Sequence, residues 1–288
     1  MTYLRDEIAS QPSMWARASE LSAPDLPAKG ERVAIIGCGT SYYMAQSYAA
    51  LREAAGHGET DAFAASEYPT GRAYDRVVAL TRSGTTTEVL AALSRITAPT
   101  VAITADPETP ISAAADTVVS LDFADEKSVV QTRFATTALV LLRASIGESL
   151  AALPAAATEE LSTPVPEPLL TAEQVTFLGT GWTIGIANEA ALKLREATQS
   201  WTESYYAMEY RHGPISIAAP GRVVWIFGEA PEGLVAEVRR TGAHVEIASG
   251  DPLVSLVRVH RVADLMAEAR GLDPDHPRNL DRSVILTP

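Results

Sequence analysis

The chain has 288 residues, which is enough for one large domain or for two of about 150 residues each. Apolar residues make up 47% and charged residues 20%, a composition that supports a buried core and excludes an intrinsically disordered chain. The net charge of −13 argues against partners that are nucleic acids or anionic membrane surfaces, because both carry charge of the same sign.

Cysteine and histidine usage excludes several kinds of site. Cys38 is the only cysteine, so an internal disulfide and a cysteine metal site are excluded by counting. No His or Cys spacing is typical of a metal site, and we predict neither a metal nor a cofactor. The first residues are charged and lack an apolar segment of the secretory type, and no stretch is typical of a membrane span. We therefore expect a soluble, cytoplasmic protein.

Apolar runs alternate with helical patterns along the first half of the chain. The patterns predict strands over 76–81, 100–104 and 117–121, and helices over 88–95 and from 126 to about 150. Continuous apolar strands that alternate with helices imply a parallel sheet covered on both faces. The predicted fold class is therefore α/β.

A glycine-containing strand pattern occurs twice in the chain. Residues 32–41 and 174–183 each form an apolar run that ends in Gly-x-Gly, and an offset of 142 places Gly37 on Gly179 and Gly39 on Gly181. An Ala- and Leu-rich helix pattern that ends near Arg-Glu-Ala follows each run. Further patterns in the second half predict strands over 222–227 and 243–248 and a helix over 234–241. The chain is therefore interpreted as a tandem duplication of one α/β unit.

These patterns predict the organisation of the chain. The predicted parts are an N-terminal helical segment over 1–30, a first domain over 31–154, an Ala- and Pro-rich linker over 155–172, and a second domain with a C-terminal tail over 173–288.

Residues 81–87, Thr-Arg-Ser-Gly-Thr-Thr-Thr, form a hydroxyl-rich turn between a strand and a helix. Ligands of an open parallel sheet bind beyond the carboxyl ends of its strands, and free amides at a helix start favour an anion. The functional interpretation is a phosphate site. The alternative is a helix cap in a polar surface loop, since Ser and Thr are ordinary capping residues.

Three charged residues share one face of a predicted helix. Glu189, Lys193 and Glu196 stand at positions i, i+4 and i+7, so they fall on a narrow stripe. The stripe could place a general base beside an ammonium group, or it could be a solvated face with an ordinary ion pair. His212 precedes a Gly-Pro turn, and its imidazole suits proton transfer near neutral pH, although a single loop histidine is often incidental.

Together, seven segments of this sequence carry a resemblance to a known family. They are Gly37–Ser41, Thr81–Thr86, Glu126–Arg133, Glu189–Glu196, Glu203, Arg211–Pro214 and Pro277–Leu280. In this order and spacing the chain resembles the sugar isomerase (SIS) domain family in its tandem two-domain form, which includes the isomerase half of glucosamine-6-phosphate synthase and stand-alone phosphosugar isomerases and deaminases. The resemblance implies two flavodoxin-like αβα sandwiches and a homodimer with shared active sites.

The resemblance also implies roles for individual residues. It gives Glu196 the transfer of a proton between C1 and C2, Lys193 a place beside the reacting oxygens, and His212 the opening of the sugar ring, from the partner subunit. The residues implied in binding the sugar phosphate are Thr40, Ser41, Thr81, Ser83, Thr86 and Val129.

The sequence departs from the family pattern at three points. No glutaminase domain is expected, because the chain starts at an SIS-type helical segment, and glutamine-dependent amination is excluded with it. Arg282 stands where the synthase has an imine-forming lysine; a guanidinium stays protonated and cannot form that imine, but it can pair with an anion. Arg82 adds a positive charge to the middle of the turn at 81–87.

The predicted function is that of a phosphosugar isomerase acting on a hexose or amino-hexose 6-phosphate, with deamination or deglycation as variants of the reaction. The alternative is a non-catalytic phosphosugar sensor or scaffold. Such a sensor needs the phosphate site but not the acid and base, so the presence of Glu196, Lys193 and His212 together favours an enzyme.

Overall fold

A computed structural model describes residues 2–286 and contains two parallel β-sheets. The first sheet has the strand order β2-β1-β3-β4-β5. Its strands are β1 (Val33–Gly37), β2 (Thr60–Ala64), β3 (Arg76–Leu80), β4 (Thr100–Thr104) and β5 (Thr117–Ser120). The two central strands, β1 and β3, are almost entirely buried, as expected for a parallel sheet covered on both faces.

The second sheet repeats the strand order of the first with one strand fewer, as β7-β6-β8-β9. Its strands are β6 (Gln174–Gly179), β7 (Trp201–Tyr206), β8 (Arg222–Ile226) and β9 (His244–Ile247). In both sheets the first strand in sequence (β1 or β6) pairs on one side with the second strand (β2 or β7), which forms the edge of the sheet. The third strand (β3 or β8) pairs with the opposite side of that first strand. The internal repeat seen in the sequence therefore has a counterpart in the topology.

Ten α-helices are found among residues 2–286. They are α1 (Tyr3–Ser19), α2 (Thr40–Ala54), α3 (Thr87–Leu93), α4 (Ile111–Ala114), α5 (Arg133–Ser145), α6 (Leu153–Ser162), α7 (Glu167–Thr171), α8 (Thr183–Thr198), α9 (Leu234–Arg240) and α10 (Pro252–Ala269). One continuous apolar core joins both sheets to α1, α2, α5, α8 and α10, which fill the space between them. Smaller cores cover the outer faces under α3 and α9.

Most predicted strands and helices of the chain are confirmed, but two strands and the long helix α10 were missed. The missed strands are β2 and β7, the edge strands that lie beside β1 and β6. Both are only partly buried and carry polar residues, so they lack the continuous apolar pattern by which the other strands were found.

The helix predicted from residue 126 begins later, at Arg133. Residues 126–132 are not helical, and the buried carboxylate of Glu126 accepts hydrogen bonds from the N–H groups of Thr132 at 2.6 Å, Arg133 at 2.8 Å and Phe134 at 3.2 Å. Glu126 thus satisfies the free amides that start α5. A capping side chain usually stands immediately before its helix, so this longer-range cap has no ordinary sequence signal.

The segment 155–172, predicted as a linker, is helical over most of its length. It contains most of α6 and all of α7, and each of these helices has a proline in its first turn. Proline is well tolerated there because the first amides of a helix have no partner to lose. Ala157 and Leu169 are buried in the core, so this connection packs as part of the structure. The domain boundaries themselves stay a prediction.

The two Gly-x-Gly turns have the same local geometry. A Cβ atom on Gly37 would lie 2.7 Å from the backbone of Ser41, and one on Gly179 would lie 2.4 Å from the backbone of Thr183. Both helices therefore begin so close to the preceding strand that only glycine fits there. The second glycines, Gly39 and Gly181, have positive φ angles of 53° and 57°.

Helices α2 and α8 make the closest contact between the two halves. Gly185 of α8 faces α2, and a Cβ atom there would lie 2.3 Å from both the Tyr43 carbonyl oxygen and the Ser47 Oγ. Ser47 also donates a hydrogen bond of 3.0 Å to the Trp182 carbonyl, and the Asn188 amide donates one of 2.8 Å to Gln46. This contact places α8, with its charged stripe, against the first sheet's unit.

We expect Gly185→Ala to destabilise the protein. Alanine has the higher helix propensity by about 1 kcal/mol, but overpacking of a tight core contact typically costs about 1–3 kcal/mol, and here the new methyl group meets backbone. The change is therefore expected to lower the free energy of unfolding in urea. Gly71→Ala is the control, because Gly71 has a negative φ angle and open space around it. Equal stability of both variants would contradict the close contact.

Candidate active site

A cavity lies beyond the carboxyl ends of β1 and β3, where the first sheet meets α8. Its volume is about 170 Å³, and we call it the inner cavity. It is lined by Cys38, Gly39, Thr40, Arg82, Thr86, Val129, Gln131, Lys193, Glu196, Leu280, Asp281, Arg282, Ser283 and Val284. The strand ends of the first unit thus meet the stripe of α8 and a segment close to the C-terminus.

Six of the ten predicted site residues line this inner cavity. They are Thr40, Thr86, Val129, Lys193, Glu196 and Arg282. The contact between α2 and α8 accounts for the arrangement, because Thr40 is the first residue of α2 while Lys193 and Glu196 belong to the last turns of α8. Residues more than 150 positions apart in sequence are therefore brought to one place.

The charged stripe on α8 is not a solvated face. Lys193 and Glu189 are each about 1% exposed, and the Glu196 side chain is 19% exposed. Lys193 Nζ lies 2.5 Å from Glu196 Oε2 and 3.5 Å from Glu189 Oε1. One buried ammonium group therefore sits between two carboxyl groups and is bonded to the one that borders the cavity.

Burial and the neighbouring charges have opposing effects on the pKa of Glu189 and on the pKa of Lys193. Burial raises the pKa of Glu189 to about 8, against the smaller opposing effect of Lys193. For Lys193, burial alone would lower the pKa, but the carboxyl groups of Glu189 and Glu196 outweigh burial and raise the pKa above its ordinary value. Near neutral pH, Lys193 is therefore charged and the carboxyl group of Glu189 is protonated.

The hydroxyl-rich turn at 81–87 borders two cavities. Thr86 faces the inner cavity, whereas Ser83 and Thr85 line a larger one of about 700 Å³, which we call the outer cavity. Thr81 is buried, and its Oγ1 accepts a hydrogen bond of 3.3 Å from the N–H of Gly84. Thr86 precedes the first residue of α3, but its side chain makes no capping hydrogen bond, so capping does not account for this hydroxyl.

Residues 280–284 form the wall between the inner and outer cavities. This tail is hydrogen-bonded to the turn at 81–87: Ser283 and Thr85 share a hydroxyl–hydroxyl bond of 2.8 Å, and the Thr87 N–H donates to the Val284 carbonyl at 3.1 Å. Arg82 donates to the Arg282 carbonyl at 2.9 Å. Polar groups of the turn are thus occupied by the tail in this structure.

The two arginines of the inner cavity are both held by the protein itself. Arg282 pairs with the carboxylate of Asp125 and donates to the backbone carbonyl of Glu126. Arg82 is about 2% exposed, and its Nη1 donates to the Ser128 carbonyl at 2.9 Å and to the Val129 carbonyl at 3.4 Å. Both guanidinium groups line the cavity, and each donates hydrogen bonds to carbonyl or carboxylate oxygens of the chain.

Val129 lies four residues before α5, in the non-helical segment 126–132. Its N–H donates to the Asp275 carbonyl at 3.2 Å, and its carbonyl accepts from Arg82, so both backbone groups have partners within the chain. Gln131 lines the same cavity and was not predicted. Its Oε1 is buried and has no hydrogen-bond partner among residues 2–286. Its position two residues after Val129 is the only signal that could have found it.

Four predicted residues do not line the inner cavity: Thr81 and Ser83 belong to the turn at 81–87, and Ser41 and His212 lie elsewhere. Ser41 is buried in the first turn of α2, where it packs against Gly37. His212 ends a short 3₁₀ segment, Glu209–His212, and is exposed at the surface of this chain. Its entry into the site of a partner subunit stays a prediction.

The remaining group of chemical interest in the inner cavity is the Cys38 thiol. Burial is the main cause that raises its pKa to about 11, and the charge of Glu88 adds to the effect. The thiol is therefore protonated near neutral pH and is a poor nucleophile.

The described part of the chain offers neither a cluster of metal ligands nor a helix that could span a membrane. Residues 2–286 contain no cluster of three His, Cys, Asp or Glu side chains placed to hold a metal ion. Over the same range, no helix combines the length and the apolar character needed to cross a bilayer. The cytoplasmic location stays a prediction.

Comparison with known proteins identifies the class of this fold. Residues 28–146 match the family model of the SIS domain. The match contains the whole first sheet and the turn at 81–87.

The chain is also homologous to isomerizing glutamine–fructose-6-phosphate aminotransferases. It is 29% identical to the enzyme of Sulfurisphaera tokodaii over 294 aligned residues, which cover 88% of this chain and 50% of that protein. The chain thus spans about half the length of the curated relatives it matches.

Solved structures share the fold over nearly the whole chain. Glucosamine-6-phosphate deaminase from Thermotoga maritima superposes with a TM-score of 0.81 at 24% identity, covering 99% of this chain and 100% of that one. Tagatose-6-phosphate ketose/aldose isomerase from Escherichia coli superposes with a TM-score of 0.80 at 18% identity, covering 100% and 97%. At these identities the likeness establishes the fold.

The raised pKa of Glu189 predicts how stability depends on pH. Between its ordinary value near 4.5 and about 8, Glu189 is protonated in the folded chain and ionised in the unfolded chain. The free energy of unfolding therefore falls as the pH rises through this interval. Glu189→Gln removes this titration, and we expect its loss of stability between pH 6 and pH 9 to be smaller than that of the native protein by a few kcal/mol.

Urea unfolding of both proteins at pH 6 and at pH 9 measures this difference. The control is Glu159→Gln, which changes an exposed carboxylate on α6 and should leave the pH dependence unaltered. Parallel pH profiles for Glu189→Gln and the native protein would show that Glu189 does not hold the proton.

Proposed function

We propose that the protein is a phosphosugar isomerase acting on a hexose or amino-hexose 6-phosphate, with deamination or deglycation as variants of the same chemistry. One observation carries the proposal: the Lys193–Glu196 pair of α8 borders the same cavity as Thr40 and Thr86 from the strand ends of the first unit. This arrangement supports the proposal because a carboxylate that could transfer a proton lies at the same cavity as hydroxyls that could bind a sugar phosphate.

The proposed reaction begins with opening of the sugar ring. Ring opening needs a group that moves a proton between the anomeric hydroxyl and the ring oxygen, and a histidine is suited to this near neutral pH. We assign this step to His212 of a second subunit, because His212 is exposed in its own chain and does not line the inner cavity. The site is then complete only in a dimer.

In the second step, Glu196 takes the proton from the carbon next to the carbonyl or imine and returns it to the carbon that had carried the double bond, while a second proton passes between the heteroatoms bound to these two carbons. The enediolate formed in between carries negative charge on oxygen, which Lys193 stabilises as a buried cation. Glu189 supports this role. As the neutral member of the stripe it keeps Lys193 in place without adding a second full negative charge beside the intermediate.

The phosphate is assigned to the turn at 81–87, which contributes Thr81, Ser83 and Thr86. The inner cavity of about 170 Å³ is smaller than the 300–1,000 Å³ typical of small-molecule sites, and the outer cavity lies just across residues 280–284. A bound hexose phosphate would use space from both cavities, with the tail displaced from Thr85 and Thr87. In this complex Arg282 would leave Asp125 and pair with the anionic ligand.

The second half of the chain, residues 173–288, is proposed to be a divergent SIS unit that supplies the catalytic stripe while the first unit binds the ligand. Support comes from its strand order, which repeats that of the first sheet, and from its equivalent Gly-x-Gly turn. If one half binds the ligand and the other supplies the catalytic residues, activity requires both halves in one chain.

Glu196→Gln should abolish most of the turnover and leave ligand affinity almost unchanged. The amide keeps the size of the side chain but cannot accept the proton, and general base catalysis is typically worth about 10²–10⁴-fold. Turnover is measured with fructose 6-phosphate, glucose 6-phosphate and glucosamine 6-phosphate by following aldose–ketose conversion and ammonia release. Affinity is measured by calorimetry, and Glu159→Gln is the control.

The outcomes of this assay separate the two functional classes. Undiminished turnover in Glu196→Gln would remove Glu196 from its role. Tight binding of a sugar phosphate by the native protein, with no turnover across the panel, would support the non-catalytic sensor instead.

A mixing experiment tests whether the site is shared between subunits. Glu196→Gln and His212→Ala homodimers should each be inactive, but after unfolding and refolding together they form heterodimers in which one of the two sites is intact. Random assembly should then restore about a quarter of the native activity. No recovery in a refolded mixture, when native protein treated identically recovers, would place both groups in one subunit's site.

A further inference from the structure

Glu7 of α1 contacts the segment that lines the inner cavity, although it stands about 120 residues earlier in the chain. Its side chain is about 3% exposed. Glu7 Oε1 accepts hydrogen bonds from the N–H groups of Lys127 at 2.5 Å and Ser128 at 3.4 Å. Glu7 precedes the SIS match at 28–146, so it contacts the segment behind the cavity wall from outside the matched part of the chain.

The same short segment is held from its other side by Arg82. Arg82 Nη1 donates to the carbonyls of Ser128 and Val129, while Glu7 binds the amides of Lys127 and Ser128. The segment has no regular secondary structure to fix its backbone. These side-chain contacts, with the hydrogen bond from the Val129 N–H to the Asp275 carbonyl, hold Val129 and Gln131 at the cavity wall.

Helix α1 is itself firmly anchored, so Glu7 is a fixed support. The carboxylate of Asp275 accepts from the N–H groups of Tyr3 at 2.7 Å and Leu4 at 2.9 Å. Further along the helix, the Trp15 indole donates to Thr136 Oγ1 at 3.0 Å. Because α1 is held in place, a shift of residues 127 and 128 away from it would break their hydrogen bonds to Glu7.

The surroundings of Glu7 make it a costly residue for stability alone. Burial, and next the charge of Glu126, raise the pKa of Glu7 to about 7, against the smaller opposing effects of the hydrogen bond from the Lys127 N–H and of the Arg133 charge. Its Oε2 is buried and has no hydrogen-bond partner among residues 2–286. A buried carboxyl group with one unpaired oxygen costs free energy, so stability does not explain this residue. The hydrogen bonds that Glu7 makes to the backbone of Lys127 and Ser128 offer the better explanation.

We propose that Glu7 is a positioning residue of the site: by binding the amides of Lys127 and Ser128 it fixes the backbone that presents Val129 and Gln131 to the ligand. The identity of the ligand, a sugar phosphate, rests on the proposed function above. The N-terminal helix thereby becomes part of the site's framework, although none of its side chains lines the inner cavity.

Two variants of Glu7 and one control test the proposal. Glu7→Asp keeps the carboxyl group but shortens the side chain by one methylene, so it loses contact with both amides. Glu7→Gln keeps an oxygen acceptor at the same distance. Asp6→Asn, one position earlier on the same helix, changes an exposed carboxylate and is the matched control.

Hydrogen exchange of the Lys127 and Ser128 amides gives a measurement that does not depend on activity. We expect Glu7→Asp to accelerate their exchange about tenfold or more, while Glu7→Gln and Asp6→Asn stay within about threefold of the native protein. Amides of the central strands β1 and β3 report global unfolding and should exchange at unchanged rates. Unchanged exchange at Lys127 and Ser128 in Glu7→Asp overturns the proposal.

Affinity for fructose 6-phosphate, measured by calorimetry, links the segment to the ligand. We expect Glu7→Asp to weaken binding about tenfold and Glu7→Gln to restore it to within about threefold. A lower melting temperature with unchanged affinity would make Glu7 merely structural and overturn the proposal. If the native protein binds no sugar phosphate, the proposed function fails, and the exchange rates alone decide the role of Glu7.

Discussion

The close contact between α2 and α8 is the constraint on which the rest of the structure depends. Each half of the chain ends a strand in a Gly-x-Gly turn and begins a helix there, and Gly185 lets those two helices approach until backbone meets side chain. A larger residue would separate the halves by the width of a methyl group. The Lys193–Glu196 pair would then move away from Thr40, and neither half alone contains both kinds of group.

Electrostatics at this contact follow from having one ammonium group between two carboxyl groups. Lys193 and Glu189 are removed from water, where an unpaired charge is expensive, and the pair with Glu196 satisfies the cation. The remaining carboxyl group keeps its proton. A polar cluster of this kind adds little to stability, but it keeps Lys193 charged at the wall of the cavity.

Regular patterns in the sequence were sufficient for the central strands, the glycine turns and the charged stripe, because burial and helical spacing leave a local signal. Edge strands β2 and β7 lack that signal, and the start of α5 depends on Glu126, a cap that stands seven residues before the helix. Within the site, the resemblance to the SIS family implied roles for Glu196 and Thr86, and both residues line the inner cavity. The contacts of Glu7, Gln131 and residues 280–284 arise only when distant segments meet, so no local pattern reveals them.

The Cys38 thiol has a consequence for any ligand with a free carbonyl group. An open-chain sugar is an electrophile, and a thiolate beside it would add to the carbonyl carbon and trap it as a hemithioacetal. With its pKa raised to about 11, the thiol at the cavity wall holds its proton at neutral pH, and this side reaction is suppressed. The same burial that makes Cys38 a poor nucleophile thus leaves the chemistry of the cavity to the acid and base that we propose.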